Sequence, residues 1–269
     1  MSHLRRELAP ISARAWEVVD EEAARALRSF LAARKLVDVT GPLGWEHSSV
    51  NLGSVHTLGA SPRVGVEAKL RDVIPMLEFR SPFTLTCAEL DAIDRGSQSP
   101  DLTAVVEAAR SAAFAGDATI FNGFAGANVS GIIDASPHKA VPIDDDYEEF
   151  PGAVARAVAT LREAGVDGPY GVALGPRCYT GVIETTQKGG YPVLEQLRLI
   201  TGGPLTWAPV IEGSVVLSVR GGDFELTLGD DFGVGFAAVS STDVDLYIEE
   251  SIAFRAHTPE AAVSLTYQT

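Results

Sequence analysis

Cysteine is nearly absent from this 269-residue chain, which carries only Cys87 and Cys178. Two cysteines so far apart do not make a disulfide scaffold, and no CxxC pair is present to clip a metal ion. A bridge between them is left open by the sequence. Long apolar runs are also missing; none reaches the roughly 18 residues needed to cross a bilayer. The first nine residues are interrupted by Arg5, Arg6 and Glu7, so no signal-peptide pattern is expected. Positive charge is the third shortage. Lys and Arg number 21 against 36 Asp and Glu, a formal charge of −15. A surface of that sign does not displace counterions from phosphates, which argues against nucleic acid and against anionic membranes as partners. These absences predict a soluble protein of a reducing, cytoplasmic compartment.

Catalytic signatures are missing as well. The five histidines, His3, His47, His56, His138 and His257, include no i, i+4 pair and no HExxH pattern. There is no GxSxG elbow and no phosphate-binding GxxxxGK[ST] loop. Asn122-Gly123-Phe124-Ala125-Gly126 follows a predicted helix rather than a strand, the wrong context for a dinucleotide fingerprint. The acidic run Asp144 to Glu149 lacks EF-hand spacing and reads as a solvated loop. Gly221-Gly222-Asp223-Phe224-Glu225 departs in order from the diguanylate cyclase signature and reads as a hairpin turn. No catalytic residue, cofactor or metal ligand is assigned, and the chain reads as a non-enzyme.

Hydrophobic residues make up 46% of the chain, a globular composition. Trp16, Val19, Ala23, Leu27, Phe30, Leu31 and Arg34 recur at helical spacing, predicting a helix over 12–35 with Ser12 as N-cap and Glu21–Arg25 paired on the other face. That stripe either packs on its own domain or stays partly open for a partner peptide. Residues 50–70 have no helical face; Val64, Val66, Ala68 and Leu70 alternate, and Gly59-Ala60-Ser61-Pro62 reads as a hairpin tip. Such an arm is too poor in apolar residues for a core and must lie on something else. A strand broken by Ser81-Pro82, a helix over 87–94 and a long Ala-rich helix over 102–121 with Asp101 as N-cap follow. Helices over 151–164, 179–185 and 193–201 surround a strand at 170–174, and strands dominate from 214 onward. The class is α+β.

The ordered set of short motifs identifies a resemblance. Leu8-Ala9-Pro10-Ile11 with Trp16, Ala33-Arg34-Lys35, Val37-Asp38-Val39 and Gly41-Pro42-Leu43-Gly44-Trp45 open it. Pro82-Phe83-Thr84-Leu85, Glu89-Leu90-Asp91, Arg95-Gly96, Asp117 with Ile120-Phe121, and Gly168-Pro169-Tyr170 continue it. Arg220 to Phe224 and Glu250 to Phe254 complete it. The chain resembles family 1 encapsulins, bacterial nanocompartment shell proteins related to the capsid proteins of tailed phages.

The resemblance implies an HK97-like phage capsid fold with P-domain, A-domain and extended E-loop. Its expected divisions are 1–37 for the N-terminal arm and lumen-facing helix, 38–80 for the E-loop and its flanking strands, 81–135 for the first part of the P-domain with its spine helix, 136–225 for the A-domain, and 226–269 for P-domain return strands. It implies a homo-oligomer that closes as an icosahedron of about sixty copies. It also implies a cargo enzyme, a ferritin-like protein or a dye-decolourising peroxidase, held through a C-terminal peptide. The residues it assigns to that peptide are Leu27, Phe30, Leu31, Arg34 and Asp38, with Asp231 and Phe232. Thr185, Thr186, Gln187, Lys188, Gly189, Gly190 and Tyr191 match the five-fold pore loop. Where some relatives carry a flavin-associated Trp, this chain has Ala88, so no flavin is expected.

Two other readings stand beside the shell. One is a phage major capsid protein on the same fold; the helix beginning near residue 12 leaves no room for a scaffolding segment before it. The other is a peptidase or bacteriocin-like activity, for which the sequence offers no nucleophile arrangement. In a closed shell the charge of −15 per subunit accumulates. Assembly followed by size-exclusion chromatography should therefore be more robust at moderate than at very low salt, and the reverse dependence would contradict this electrostatic reading.

Overall fold

The computed structural model describes residues 2–187 and 189–268. Helix α1 (Ala13–Phe30) starts where predicted, with the Ser12 hydroxyl accepting the Ala15 N–H at 3.0 Å. It buries Trp16, Val19, Ala23 and Leu27. It stops at Phe30, five residues earlier than the periodicity suggests, because Leu31 is extended and the next N–H groups are captured by Asp117. Arg25 pairs with Glu22, one turn away, instead of Glu21.

Strand β1 (Asp38–Thr40) is followed by an antiparallel hairpin, β2 (Ser49–Thr57) and β3 (Lys69–Pro75). No residue of either hairpin strand is buried. Residues 58–68 form its tip, so Val64 and Val66 lie in the tip rather than in a strand, and Val64 is wholly exposed.

Strand β4 (Leu77–Thr86) runs unbroken through Pro82, which faces Tyr247 of the partner strand. β4 pairs with one neighbour only, so the missing N–H of Pro82 has an outer edge to face. Helices α2 (Cys87–Asp94) and α3 (Thr103–Asn122) follow. The Asp101 carboxylate accepts the Thr103 N–H at 3.0 Å, close to its predicted capping role.

A short helix α4 (Ile132–Ala135) and strand β5 (Val141–Ile143) lead into α5 (Phe150–Glu163), β6 (Tyr170–Leu174), α6 (Pro176–Glu184), α7 (Val193–Thr201), β7 (Gly202–Trp207) and β8 (Ser214–Ser218). The chain ends with β9 (Phe224–Leu228), β10 (Gly233–Val239), β11 (Asp243–Ala256) and β12 (Ala262–Tyr267).

Two five-stranded sheets result. The first is organised by β11, which pairs along one edge with β4 and along the other with β9 and then β10; β1 joins β9 in parallel. The second has the order β5-β12-β8-β6-β7, with every residue of β6 and β8 buried. α1, α2 and α3 cover the first sheet over one apolar cluster, while a second cluster fills the second sheet and reaches across to Phe224, Leu226 and Phe254.

Two expectations are corrected. Gly221-Gly222 does not close a hairpin: β8 and β9 belong to different sheets, and the pair, at φ 90° and 82°, turns the chain from one sheet to the other. The stretch 226–269 does not return as one unit either. β12 inserts between β5 and β8 of the second sheet, where its apolar residues are buried on both faces. Short β1, β5 and β7 were not anticipated; three to six residues carry too little periodicity to register. Cys87 and Cys178 are free thiols, the second fully buried.

α3 buries a run of small residues, Ala109, Ala112, Ala113 and Gly116, the last of them against Glu250 of β11. A Cβ at Gly116 would lie 2.6 Å from Glu250 Oε1. Gly116→Ala should therefore destabilise the fold by roughly 1–3 kcal/mol although alanine is the better helix former. An unfolding temperature equal to or above that of the native sequence would show that Glu250 yields freely.

Candidate functional site

At the end of α1 the chain turns sharply, and charge fixes the turn. Asp117, buried on α3, accepts the N–H groups of Ala32 and Ala33 at 2.6 and 3.2 Å. These would otherwise be orphaned donors of the short 3-10 turn Ala33–Lys35. The turn aims Arg34 at the gap between β9 and β10. There its guanidinium donates to Asp231 Oδ1 at 2.6 Å and to Glu250 Oε2 at 2.7 Å, and lies 4.7 Å over the Phe232 ring. Burial pushes the Asp117 carboxyl up to about 6, against the pull of the two backbone N–H groups. Burial likewise pushes Glu250 up to about 8, opposed by Arg34 and reinforced by Asp117 and Asp231. Arg34 itself is desolvated, yet its two carboxylate partners raise it overall.

Beside this knot lies a groove of about 320 Å³ between α1 and β10. Ala23, Ala24 and Leu27 form the helix wall; Phe232, Val234 and Ile248 form the sheet wall. One end is closed by Arg6, which pairs with Asp20 at 2.6 Å and lies 4.0 Å over the Trp16 ring.

The predicted peptide-binding residues are thus only partly gathered. Leu27 and Phe232 line the groove, and Arg34 and Asp231 brace Phe232 from behind. Phe30 turns away, edge-on to Phe114 at 5.8 Å and beside Trp207 at 6.3 Å. Leu31 packs against the core below α1. Asp38 lies on β1, where its carboxylate accepts the Gly222 N–H at 2.5 Å at the turn between the sheets. Arg34 is already engaged by two carboxylates. Ala23 and Ala24 were missed as groove residues, although adjacent small residues within an apolar stripe mark where a helix leaves space. Arg6 was missed because nothing in the sequence pairs it with Asp20.

In the predicted pore loop, the Thr185 N–H caps α6 through the Gly181 carbonyl, and Thr186 bridges to Pro192. Gln187 N–H donates to the Tyr191 carbonyl and Gly190 N–H to the Gln187 carbonyl, both at 2.9 Å. Gly189 and Gly190 take φ of 112° and 79°, which side-chain-bearing residues avoid, and Tyr191 is half exposed. Lys188 lies outside the described residues.

Two five-stranded sheets, a long spine helix and an exposed β-arm make up an HK97-like capsid fold. The virus-like particle of Pyrococcus furiosus superposes with a TM-score of 0.67 at 17% identity, over 93% of this chain and 99% of that one. The capsid of Myoviridae phage XM1 superposes with a TM-score of 0.58 at 11% identity, over 88% of this chain and 91% of that one. Residues 1–253 match the family model described as "Encapsulating protein for peroxidase". The type 1 encapsulin shell protein of Rhodospirillum rubrum is 48% identical, spanning 98% of this chain and 96% of that protein. That of Mycobacterium tuberculosis is 42% identical, spanning 99% and 100%. The chain belongs to the type 1 encapsulin shell family; it is a structural shell protein that assembles with copies of itself into a capsid-like particle.

The raised Glu250 carboxyl has a consequence for stability. Between its ordinary 4.5 and its folded value of about 8, the folded chain keeps a proton that the unfolded chain has released. Stability therefore falls as pH rises through that window and levels off above it. Asp117 acts in the same direction up to and around 6, so Glu250 dominates the upper part of the window. Glu250→Gln should gain in unfolding temperature relative to the native sequence as pH goes from 6 to 8; a pH-independent difference would contradict this.

Proposed function

We propose that this shell encloses an enzyme whose C-terminal tail docks in the groove between α1 and β10, on the lumenal side. The observation that carries the reading is the groove itself, an apolar slot with Leu27 and Phe232 in its walls and two alanines leaving room on the helix side. Such a slot suits the apolar anchors of a disordered tail, which pays for its ordering through a few well-buried side chains. Many identical grooves on one inner surface would hold a multimeric enzyme by avidity. The family's description favours a peroxidase as cargo; we read it as one of the dye-decolourising type, with a ferritin-like protein as the other class.

The particle is read as a cytoplasmic icosahedron of about sixty subunits. Its five-fold pores would be ringed by residues 185–191, and the β2–β3 arm would lie over a neighbouring subunit as the E-loop. That arm buries none of its own strand residues and shows Val55, Leu70 and Val73 to the outside, as a surface meant for another copy would.

Filling the groove tests the docking site. Ala24→Phe should abolish cargo co-purification while particles of normal diameter persist by electron microscopy. Normal cargo content in that variant would remove the groove from consideration. Deleting the hairpin tip, residues 58–68, should leave subunits folded by circular dichroism but unable to form particles; intact shells would refute the arm's bridging role.

A further inference from the structure

Residues 2–9 are not a tail but a segment laid on the sheet, and where they lie matters for the groove. β10 pairs with β11 on one side only, so its other edge is open to an added strand. On that edge the Phe236 N–H donates to the Leu4 carbonyl at 2.9 Å. By the two-residue alternation of an antiparallel ladder, the N–H and carbonyl of Val234, a groove-lining residue, face the same edge. The Leu4 side chain covers Gly233, where a Cβ would lie 3.1 Å from Leu4 Cδ1. Arg6 closes the groove's end through Asp20, and His3 stacks on Trp45 at 4.3 Å with Nε2 2.8 Å from Asp230 Oδ2.

The segment is lightly held. None of residues 2–9 is buried, and a single hydrogen bond joins it to β10. The Arg6–Asp20 pair is part-exposed, the kind of ion pair that contributes little. Arg5 has φ of 52°, a left-handed conformation disfavoured for a side-chain-bearing residue. Few buried contacts and a strained backbone place the segment at the low end of local stability.

We propose that residues 2–9 are a displaceable cap on the edge of β10, and that the cargo tail binds by taking this edge as an added strand while the cap lifts. The inference rests on the groove being the cargo site. It adds the mode of binding, an extended strand whose backbone bonds to Val234 and Phe236 and whose alternate side chains enter the slot against Ala23, Ala24 and Leu27. It also adds a regulator, since a groove that is competent only when uncapped has its apparent affinity reduced by the capped fraction.

Hydrogen exchange on the assembled, full-length shell tests both statements together. The probe is a synthetic peptide matching the C-terminal tail of the enzyme recovered from the lumen, added to shells produced without cargo. Exchange over 232–239 should slow while exchange over 2–9 quickens. Slowing over 232–239 with 2–9 unchanged or further protected would overturn the cap and leave the groove standing. No change over 232–239 or α1 would overturn the groove itself. In the same shells, the double variant Leu4→Ala, Arg6→Ala should bind the peptide about fivefold more tightly, as expected for releasing contacts of this strength. Equal or weaker binding counts against the cap.

Discussion

One cation among three carboxyl groups holds this molecule in register. Arg34 reaches Glu250 and Asp231 at the point where the edge of β11 passes from β9 to β10, and Asp117 fixes the turn that delivers it. α1, α3, β11 and the β9–β10 connection all meet there. Desolvating a charge is costly, and a buried knot of this kind stabilises little against an apolar replacement, yet removing one member leaves the others without a hydrogen-bond partner. Its value is therefore positional. Gly116 exists to make room for Glu250, α1 ends where Asp117 captures its successors, and Phe232 faces the groove because Arg34 lies across its ring.

From that point outward the two sheets divide the work. The first, backed by α1 and α3, presents the groove on one side and the unburied arm at its margin. The second is buried on both faces along its central strands β6 and β8, and β12 stitches the end of the chain into its middle. Tyr267 makes that stitch firm: its hydroxyl lies 2.6 Å from that of Tyr147 and 3.2 Å from the Cys178 sulfur, and its ring lies under the Arg177 guanidinium, 3.9 Å from the centroid. Burial and these neighbours hold the Tyr267 hydroxyl neutral, and burial raises the Cys178 thiol above its ordinary range. Cys178 is thus part of the packing around this stitch.

Much of this was legible in the sequence. Long elements with a clear period, α1, α2, α3, α5 and α7, fall within a few residues of expectation, and the resemblance supplied the fold. What escaped was set by partners distant in the chain. Gly221-Gly222 has the local chemistry of a hairpin, and only the assignment of β8 and β9 to separate sheets makes it a corner. Arg34 and Asp38 sit four residues apart and suggest a common site, yet one belongs to the buried knot and the other caps the Gly222 N–H. Residues 2–9 carry no periodicity at all; their place follows from the open edge of β10. The groove was half visible, because Leu27 and Phe232 are apolar anchors whereas the alanines opposite matter only for the volume they leave empty.

The bare β2–β3 arm makes the free subunit an unfinished object. Its apolar side chains face water and its backbone edges are open until a second copy arrives, so a lone subunit is the form that a cell's chaperones and proteases would recognise as damaged. If the arm is what meets the next subunit, the surface that fastens the particle also acts as an inspection mark: a subunit left out of a particle goes on displaying it.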